Sequence, residues 1–159
     1  METIKEAKQF LKENYKVGAS CPCCSQHVKA YKRKIDAGVA VFLIKMSLMT
    51  KPDEFIHAEK VLKALGKSTK SMNYSIARYW DLIEREPIDK SNKTKKSSGN
   101  WKLTILGRSF VNNEYNPIKH VITYNSKRIN WHEKTFLEVA SIEECLGESF
   151  NYSELMKGF

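Results

Sequence analysis

The sequence has no apolar run long enough to cross a bilayer. Its longest such run, residues 37–44, is far shorter than the ~20 apolar residues that a membrane-spanning helix needs. The chain also opens with a charged amphipathic stretch, whereas a secretory signal peptide follows its basic start with an apolar segment. We therefore predict a cytoplasmic protein that has no membrane partner.

Sequence motifs of common catalysts are missing as well. The chain contains no His-Glu-x-x-His, no glycine-rich phosphate loop and no Ser, His and Asp in the setting of a hydrolase motif. His57 and Glu59 match the His-x-Glu of zinc deaminases, but those enzymes also need a downstream Pro-Cys-x-x-Cys. The one Pro-Cys of this chain lies upstream, at Pro22. We predict that the protein is not an enzyme.

Cysteine is scarce and unevenly distributed. Three of the four cysteines, Cys21, Cys23 and Cys24, lie within four residues, and the other is Cys145. This layout is poorly suited to a disulfide framework, so we expect a reducing compartment.

Cys21, Cys24 and His27 have the spacing of a zinc-binding knuckle. Thiolates and imidazoles are the ligands that zinc prefers, and a Cys-x-x-Cys pair grips the ion from one side. We predict a structural zinc held by these three residues, with the fourth ligand taken from one of three others: His120, His132 or Cys145. The alternatives are a knuckle without metal, or buried thiols at the start of a helix.

Positive charge is what the sequence has in excess. It carries 27 Lys and Arg against 18 Asp and Glu, a formal net charge of +9 over 159 residues. This length is enough for one domain with a substantial core. A positive field of this kind favours polyanions such as nucleic acid or an anionic membrane surface, although a solvated basic face would give the same totals.

Hydrophobic periodicity predicts an α+β fold that is mainly helical. The predicted helices span residues 3–14, 28–49, 50–66, 73–85, 104–111 and 134–145, with a last short turn over residues 152–156. A strand is predicted at residues 101–105, and a hairpin at residues 120–124 and 127–131 with Asn125-Ser126 as its turn.

Capping residues set several of the predicted helix ends. Thr3 and Glu6 have the spacing of a capping box at the start of the first helix. Thr50 is predicted to cap the third helix, with Pro52 in its first turn, and Gly66 to end it.

Residues 78–84 (RYWDLIE) and 101–111 (WKLTILGRSFV) flank a lysine-rich loop at residues 87–100. Together they resemble the second half of winged-helix regulators of the MarR type. In those proteins the recognition helix runs into a strand, a charged wing follows, and the return strand leads into a Leu-Thr-x-x-Gly-Arg motif, here Leu103 to Arg108. Asp81 stands where that family usually has glycine.

The resemblance covers about residues 37–113 and implies a winged helix-turn-helix core. We place this winged-helix domain at residues 28–113, after an N-terminal helix and cysteine knuckle at residues 1–27. The C-terminal hairpin and helix, residues 114–159, form an extension that serves as a dimer seam or covers an edge of the wing sheet.

Two helices joined by a short polar turn can lay the second helix into a DNA major groove. We therefore predict nucleic-acid contacts from the turn, the start of the second helix and the wing. The turn and wing groups suit phosphate oxygens, which give affinity without sequence choice. The predicted contacts are Lys67, Ser68, Thr69, Lys70, Asn73, Tyr74, Ser75, Arg78, Lys90, Lys93, Lys95 and Lys96.

Three of the residues in this region have a structural alternative. Arg78 either meets nucleic acid or pairs with Asp81 or Glu84 on its own helix. Trp80 and Trp101 are expected to anchor the wing sheet in the core rather than to stack on bases.

The cysteine knuckle, winged helix and trailing hairpin together are similar to small bacteriophage winged-helix proteins. That resemblance implies a viral accessory protein in the host bacterial cytoplasm. Our first hypothesis is a binder of double-stranded DNA, for example a transcription regulator, acting as a monomer or homodimer. The alternatives are a module that binds and modulates a host bacterial protein, and a binder of RNA or single strands.

Overall fold

A computed structural model describes residues 3–67, 73–88, 98–129 and 138–158. Within these ranges 41% of residues are helical and 20% are in strands, and the strands form three small antiparallel sheets. The prediction of a mainly helical fold is therefore wrong. The missed strands are two to four residues long, and all but the local β1–β2 pair join segments far apart in sequence, so local periodicity carries little trace of them.

The elements follow one another along the chain in a mixed order. The helices are α1 (Ile4–Asn14), α2 (Ala37–Met49), α3 (Ala58–Ala64), a 3₁₀ helix (Tyr74–Trp80), α4 (Ile105–Val111), α5 (Ile142–Leu146) and α6 (Tyr152–Met156). The strands are β1 (Ala19–Ser20), β2 (His27–Val28), β3 (Tyr31–Lys34), β4 (Ile56–His57), β5 (Ile83–Arg85), β6 (Asn100–Leu103), β7 (His120–Tyr124) and β8 (Lys127–Ile129).

Helix α2 is the centre of the core. It is apolar nearly all round, and its residues 39–44 are buried together with Met46. Helices α3, α4, α5 and α6, the 3₁₀ helix and strand β6 all contact it. Although α2 is so apolar, no helix among the described residues has both the length and the hydropathy needed to span a membrane.

The predicted helix over residues 28–49 is wrong in its first half. Helix α2 begins only after Asp36, whose Oδ1 accepts a hydrogen bond from the Val39 N–H at 2.9 Å. The residues before it form β2 and β3, and β3 pairs antiparallel with β7. Tyr31 and Ile35 lie four residues apart, which mimics a helical stripe.

The third predicted helix begins later than expected. Thr50 does not cap it; the Thr50 hydroxyl instead donates to the Met46 carbonyl at 2.7 Å, at the end of α2. Strand β4 follows, and α3 starts after His57, whose Nδ1 accepts from the Glu59 N–H. The predicted end is confirmed, since Gly66 follows the helix with φ +68°.

Strand β6 lies between β4 and β5 in a three-stranded sheet. Ile56 pairs with Trp101 on one side of β6, and Ile83 pairs with Leu103 on the other. The helix predicted over residues 73–85 is shorter than expected, because the 3₁₀ helix ends at Asp81. Asp81 adopts the left-handed conformation at φ 57°, ψ 28°, which glycine adopts most readily and which aspartate tolerates better than most residues.

The β7–β8 hairpin is confirmed, with Asn125 and Ser126 both at positive φ in a two-residue turn. Strand β3 adds to its other side, giving the order β3-β7-β8. The predicted start of the last long helix, Lys134, and the predicted end of the hairpin, residues 130–131, lie outside the described residues. Residues 138–141 are not helical, and α5 begins at Ile142 after the Ser141 cap. The C-terminal segment therefore shares a sheet with β3, and its helices contact α2.

The Leu-Thr-x-x-Gly-Arg motif has a structural role throughout. Leu103 is buried, and the Thr104 hydroxyl accepts from the Gly107 N–H while donating to the Asp81 carbonyl. The Arg108 Nη2 donates to the Thr50 hydroxyl at 3.1 Å and to the Lys51 carbonyl at 2.9 Å. The motif thus fastens α4 to the turn at Asp81 and to the end of α2.

Gly107 has no room for a side chain. A Cβ added there would collide with the backbone carbonyl of Leu82, which is part of the buried core and has little freedom to move. We expect Gly107→Ala to lower the free energy of unfolding by at least ~2 kcal/mol, as overpacking against a fixed backbone does. Urea unfolding followed by circular dichroism measures it.

Gly66→Ala is the matched control. Nothing lies within 4 Å of a Cβ at Gly66, so only its φ of +68° opposes the substitution. We expect a cost of about 1 kcal/mol there. If Gly107→Ala and Gly66→Ala lowered the free energy of unfolding equally, the close packing of α4 against Leu82 would be contradicted.

Candidate nucleic-acid interface

The predicted contact residues fall into two groups. Seven of them lie outside the described residues: Ser68, Thr69, Lys70, Lys90, Lys93, Lys95 and Lys96. The other five are Lys67, Asn73, Tyr74, Ser75 and Arg78. Lys67 and Asn73 are exposed, whereas the other three are partly buried.

The Tyr74 ring is turned into the core. It stacks on Phe42 with ring centroids 4.5 Å apart and meets the edge of Trp101 at 6.2 Å. Burial raises the pKa of its hydroxyl. We therefore no longer count Tyr74 among the nucleic-acid contacts.

The two tryptophans are core anchors, as expected. Trp80 and Trp101 are each 3% exposed. The Trp80 indole N–H donates to the Ile118 carbonyl at 2.6 Å, which ties the 3₁₀ helix to the segment that leads into β7.

Arg78 lies on the 3₁₀ helix and pairs with no carboxylate among the described residues. Its Nη2 donates to the Tyr79 hydroxyl at 3.0 Å, and its guanidinium lies 4.7 Å from the centroid of the Tyr79 ring. Arg78 forms no ion pair with Asp81 or Glu84, the two partners considered from the sequence. The described part of the structure therefore holds this guanidinium in place through neutral contacts.

Two further arginines, both on the β3-β7-β8 sheet, share neighbouring residues with Arg78 or with each other. The Arg33 Nε donates to the hydroxyl of buried Thr123 at 2.9 Å. Arg128, paired with Thr123 in the strand register, donates from Nη1 to the Tyr79 carbonyl at 3.2 Å. We call Arg33, Arg78 and Arg128 the arginine cluster.

Sequence reasoning missed Arg33 and Arg128. The basic stretch that contains Arg33 was assigned to a helix, and Arg128 was assigned to a hairpin with no stated role. Arg33 and Thr123 are 90 residues apart in sequence, so no local pattern brings them together. A signal was present for Arg128 alone, because it lies in the hairpin that the sequence predicts.

A groove of about 390 Å³ lies beside the cluster, between β3, the β7–β8 turn and Tyr79. We call it the tyrosine groove. No carboxylate is among the described residues that line it: Gln26, His27, Val28, Lys29, Tyr31, Arg33, Tyr79, Thr123, Tyr124, Asn125 and Ser126. The groove is therefore basic and aromatic.

The cysteine knuckle is a tight loop between β1 and β2. The Cys21 N–H donates to the Gln26 carbonyl and the Ser25 N–H to the Cys21 carbonyl, both at 2.8 Å. The Cys21 sulfur accepts hydrogen bonds from the backbone N–H groups of Cys24 and Cys23, and these bonds lower the pKa of the thiol. The four cysteines form no disulfide with one another.

The predicted zinc ligands do not form a three-residue metal site. Across the described ranges there is no group of three or more His, Cys, Asp or Glu side chains placed to hold a metal ion. His27 packs against Gly18, with its Nε2 3.2 Å from where a Cβ on that glycine would lie. Cys21 and Cys24 therefore lack His27 as the further ligand expected from the sequence.

The cysteines should differ widely in reactivity, because the thiolate is the nucleophile. The pKa of Cys21 is lowered, whereas burial raises the pKa of Cys145 to about 11. We expect iodoacetamide at pH 8 to alkylate Cys21 at least tenfold faster than Cys145, measured by peptide mass spectrometry. In urea Cys145 should react readily, which serves as the control. Similar rates in the native protein would contradict the described burial and hydrogen bonds.

Comparison of the chain with protein-family models, with curated proteins and with solved structures gives no match. The relation to MarR-like and bacteriophage winged-helix proteins therefore remains a prediction from the motif residues. The arginine cluster and the tyrosine groove are the features from which a function can be argued.

Proposed function

We propose that the protein binds nucleic acid, with double-stranded DNA as its partner, through the face that carries the arginine cluster. The strongest support comes from Arg33, Arg78 and Arg128, which belong to three separate segments and each donate to a neutral acceptor. The acceptors belong to Thr123 and Tyr79, which both line the tyrosine groove. An arginine kept for stability alone would more often be paired with a carboxylate.

Guanidinium chemistry favours a phosphate as the partner of these groups. Each guanidinium has five N–H donors, and each uses one of them in its hydrogen bond to Thr123 or Tyr79. The remaining donors match the paired oxygens of a phosphate, which arginine binds through two parallel hydrogen bonds. Because the hydrogen bonds to protein fix each side chain, less conformational entropy is lost when DNA binds.

The positive charges around the arginine cluster also favour a polyanionic partner. Lys29 lines the neighbouring groove, and Lys127 precedes Arg128 in β8; both are exposed. The formal net charge of +9 adds a long-range attraction to any polyanion. These groups increase the rate of encounter with DNA and contribute affinity that does not depend on sequence.

The order of elements agrees with this proposal. Helix α3 is followed by the 3₁₀ helix, then by β5 and β6, and a winged-helix DNA-binding protein presents its recognition helix and wing in this order. Lys67, Asn73 and Ser75 flank or begin the segment that would approach DNA. The lysines of the predicted wing, Lys90, Lys93, Lys95 and Lys96, would add contacts to phosphates.

A second candidate function is docking to a host bacterial protein. Ile105 is 88% exposed and Leu106 is 40% exposed, at the start of α4 beside a cleft of about 600 Å³. Exposed apolar side chains next to a concave surface suit a protein partner. Salt dependence separates the two functions, because only phosphate binding releases condensed counterions.

The proposal predicts steeply salt-dependent binding to duplex DNA of random sequence. Fluorescence anisotropy between 50 and 200 mM salt should show the affinity falling, with a log–log slope of about −0.9 per phosphate contact. Arg33→Ala, Arg78→Ala and Arg128→Ala should each weaken binding several-fold and flatten that slope by about one contact.

Two controls make the comparison specific. Arg→Lys at the same positions keeps the charge and should keep most of the slope. Lys157→Ala removes one positive charge from a residue that follows α6 and does not line the groove, and it should leave binding nearly unchanged. Affinity that is insensitive to salt, or equal losses for Lys157→Ala and the cluster variants, would overturn the proposal.

A further inference from the structure

We propose that the tyrosine groove binds an unpaired nucleotide of a single-stranded segment, with its base against Tyr31. This inference rests on the proposed binding of nucleic acid and adds the form of nucleic acid that the groove accepts. It depends on the geometry of the groove rather than on net charge.

The Tyr31 side chain lines the groove and is open to solvent. It is 49% exposed and lies in β3, the edge strand of its sheet, whereas the next strand, β7, is largely buried. The Arg33 guanidinium lies 5.5 Å from the ring centroid, which leaves the remaining ring surface for a ligand. A base stacks well on such a ring, and an adjacent guanidinium strengthens the contact and binds the phosphate.

The groove also offers groups for the edge of a base. Asn125 and Ser126 form the β7–β8 turn with φ values of 51° and 59°, and Gln26 lies at the knuckle end. The side-chain amides of Gln26 and Asn125 each carry both a donor and an acceptor, so they suit more than one base. Lys29 lies on the same stretch as Tyr31 and adds a positive charge for the backbone.

Two aromatic residues that line the groove are held in place by contacts within the protein. Tyr124 packs on Tyr15 with ring centroids 4.5 Å apart, which anchors the hairpin against the end of α1. Tyr79 also lines the groove, and its hydroxyl and carbonyl are already engaged by Arg78 and Arg128. The pocket is therefore built before a ligand arrives, which reduces the cost of binding.

The size of the groove excludes a duplex and suits a single nucleotide. A cavity of about 390 Å³ lies near the lower end of the ~300–1,000 Å³ range of small-ligand clefts. Bases within a duplex are stacked on each other, so their faces cannot reach a tyrosine ring inside a cleft. A single-stranded end or gap next to a duplex presents such a face.

The test compares three labelled probes by fluorescence anisotropy: a blunt duplex, the same duplex with a five-nucleotide thymidine overhang, and single-stranded oligothymidine. Tyr31→Ala removes the stacking surface at an exposed position and should weaken binding to the overhang and the single strand roughly tenfold. Binding to the blunt duplex should fall much less, because Tyr31 affects that interface only through its contact with Arg33. Tyr31→Phe keeps the ring and should behave as the wild type with all three probes.

A direct contact measurement accompanies the affinities. An overhang that carries 4-thiothymidine should cross-link to Tyr31 or to its neighbours in the groove, as read by peptide mass spectrometry. The same overhang made of ribonucleotides carrying 4-thiouridine distinguishes RNA from DNA as the source of the single strand.

The outcomes separate this inference from the proposed function. If the blunt duplex binds but Tyr31→Ala has no effect on the overhang, or weakens all probes equally, the groove inference fails and duplex binding stands. If none of the probes binds at low salt, both fail. Selective loss of overhang and single-strand affinity in Tyr31→Ala alone supports the inference.

Discussion

The antiparallel pairing of β3 with β7 is the constraint on which the candidate interface depends. It joins segments on either side of the α2–α4 region and places Arg33 beside Thr123, 90 residues away in sequence. The β7–β8 hairpin then brings Arg128 to the carbonyl of Tyr79. Without this sheet, Arg78 would be a single cation on a short helix, and neither the arginine cluster nor the tyrosine groove would exist.

Helix α2 provides the rigid body against which these parts are held. Its buried surface receives the 3₁₀ helix on one side and the C-terminal helices α5 and α6 on others. The residues that resemble a family motif, Thr104, Gly107 and Arg108, fasten α4 to the same body and do not face the groove. The motif therefore stabilises the fold, whereas the arginines proposed to bind nucleic acid lie on β3, β8 and the 3₁₀ helix.

Features set by neighbouring residues could be predicted from the sequence. The capping box of Thr3 and Glu6, the Thr104 cap and the Asn125-Ser126 turn all depend on side chains within a few residues of the backbone groups they satisfy. The burial of Trp80 and Trp101 was expected for a similar reason, since each belongs to a recognisable apolar pattern.

Features set by long-range pairing could not be predicted. Strand β3 was assigned to a helix because Tyr31 and Ile35 fit a helical stripe, and only its pairing with β7 shows the error. Tyr74 was assigned to a polar face, but the choice of face depends on how the 3₁₀ helix meets Phe42. Arg33 and Arg128 were missed because their significance comes from their shared neighbours, Thr123 and Tyr79.

A titration of ¹⁵N-labelled protein with duplex DNA of random sequence, followed by NMR, tests the central claim most directly. The account predicts that the Nε–H signals of Arg33, Arg78 and Arg128 shift together with the backbone amides of β8 and the 3₁₀ helix, and that the amides of α6 stay unchanged. The absence of shifts at low salt, or shifts confined to Ile105, Leu106 and the rest of α4, would contradict it.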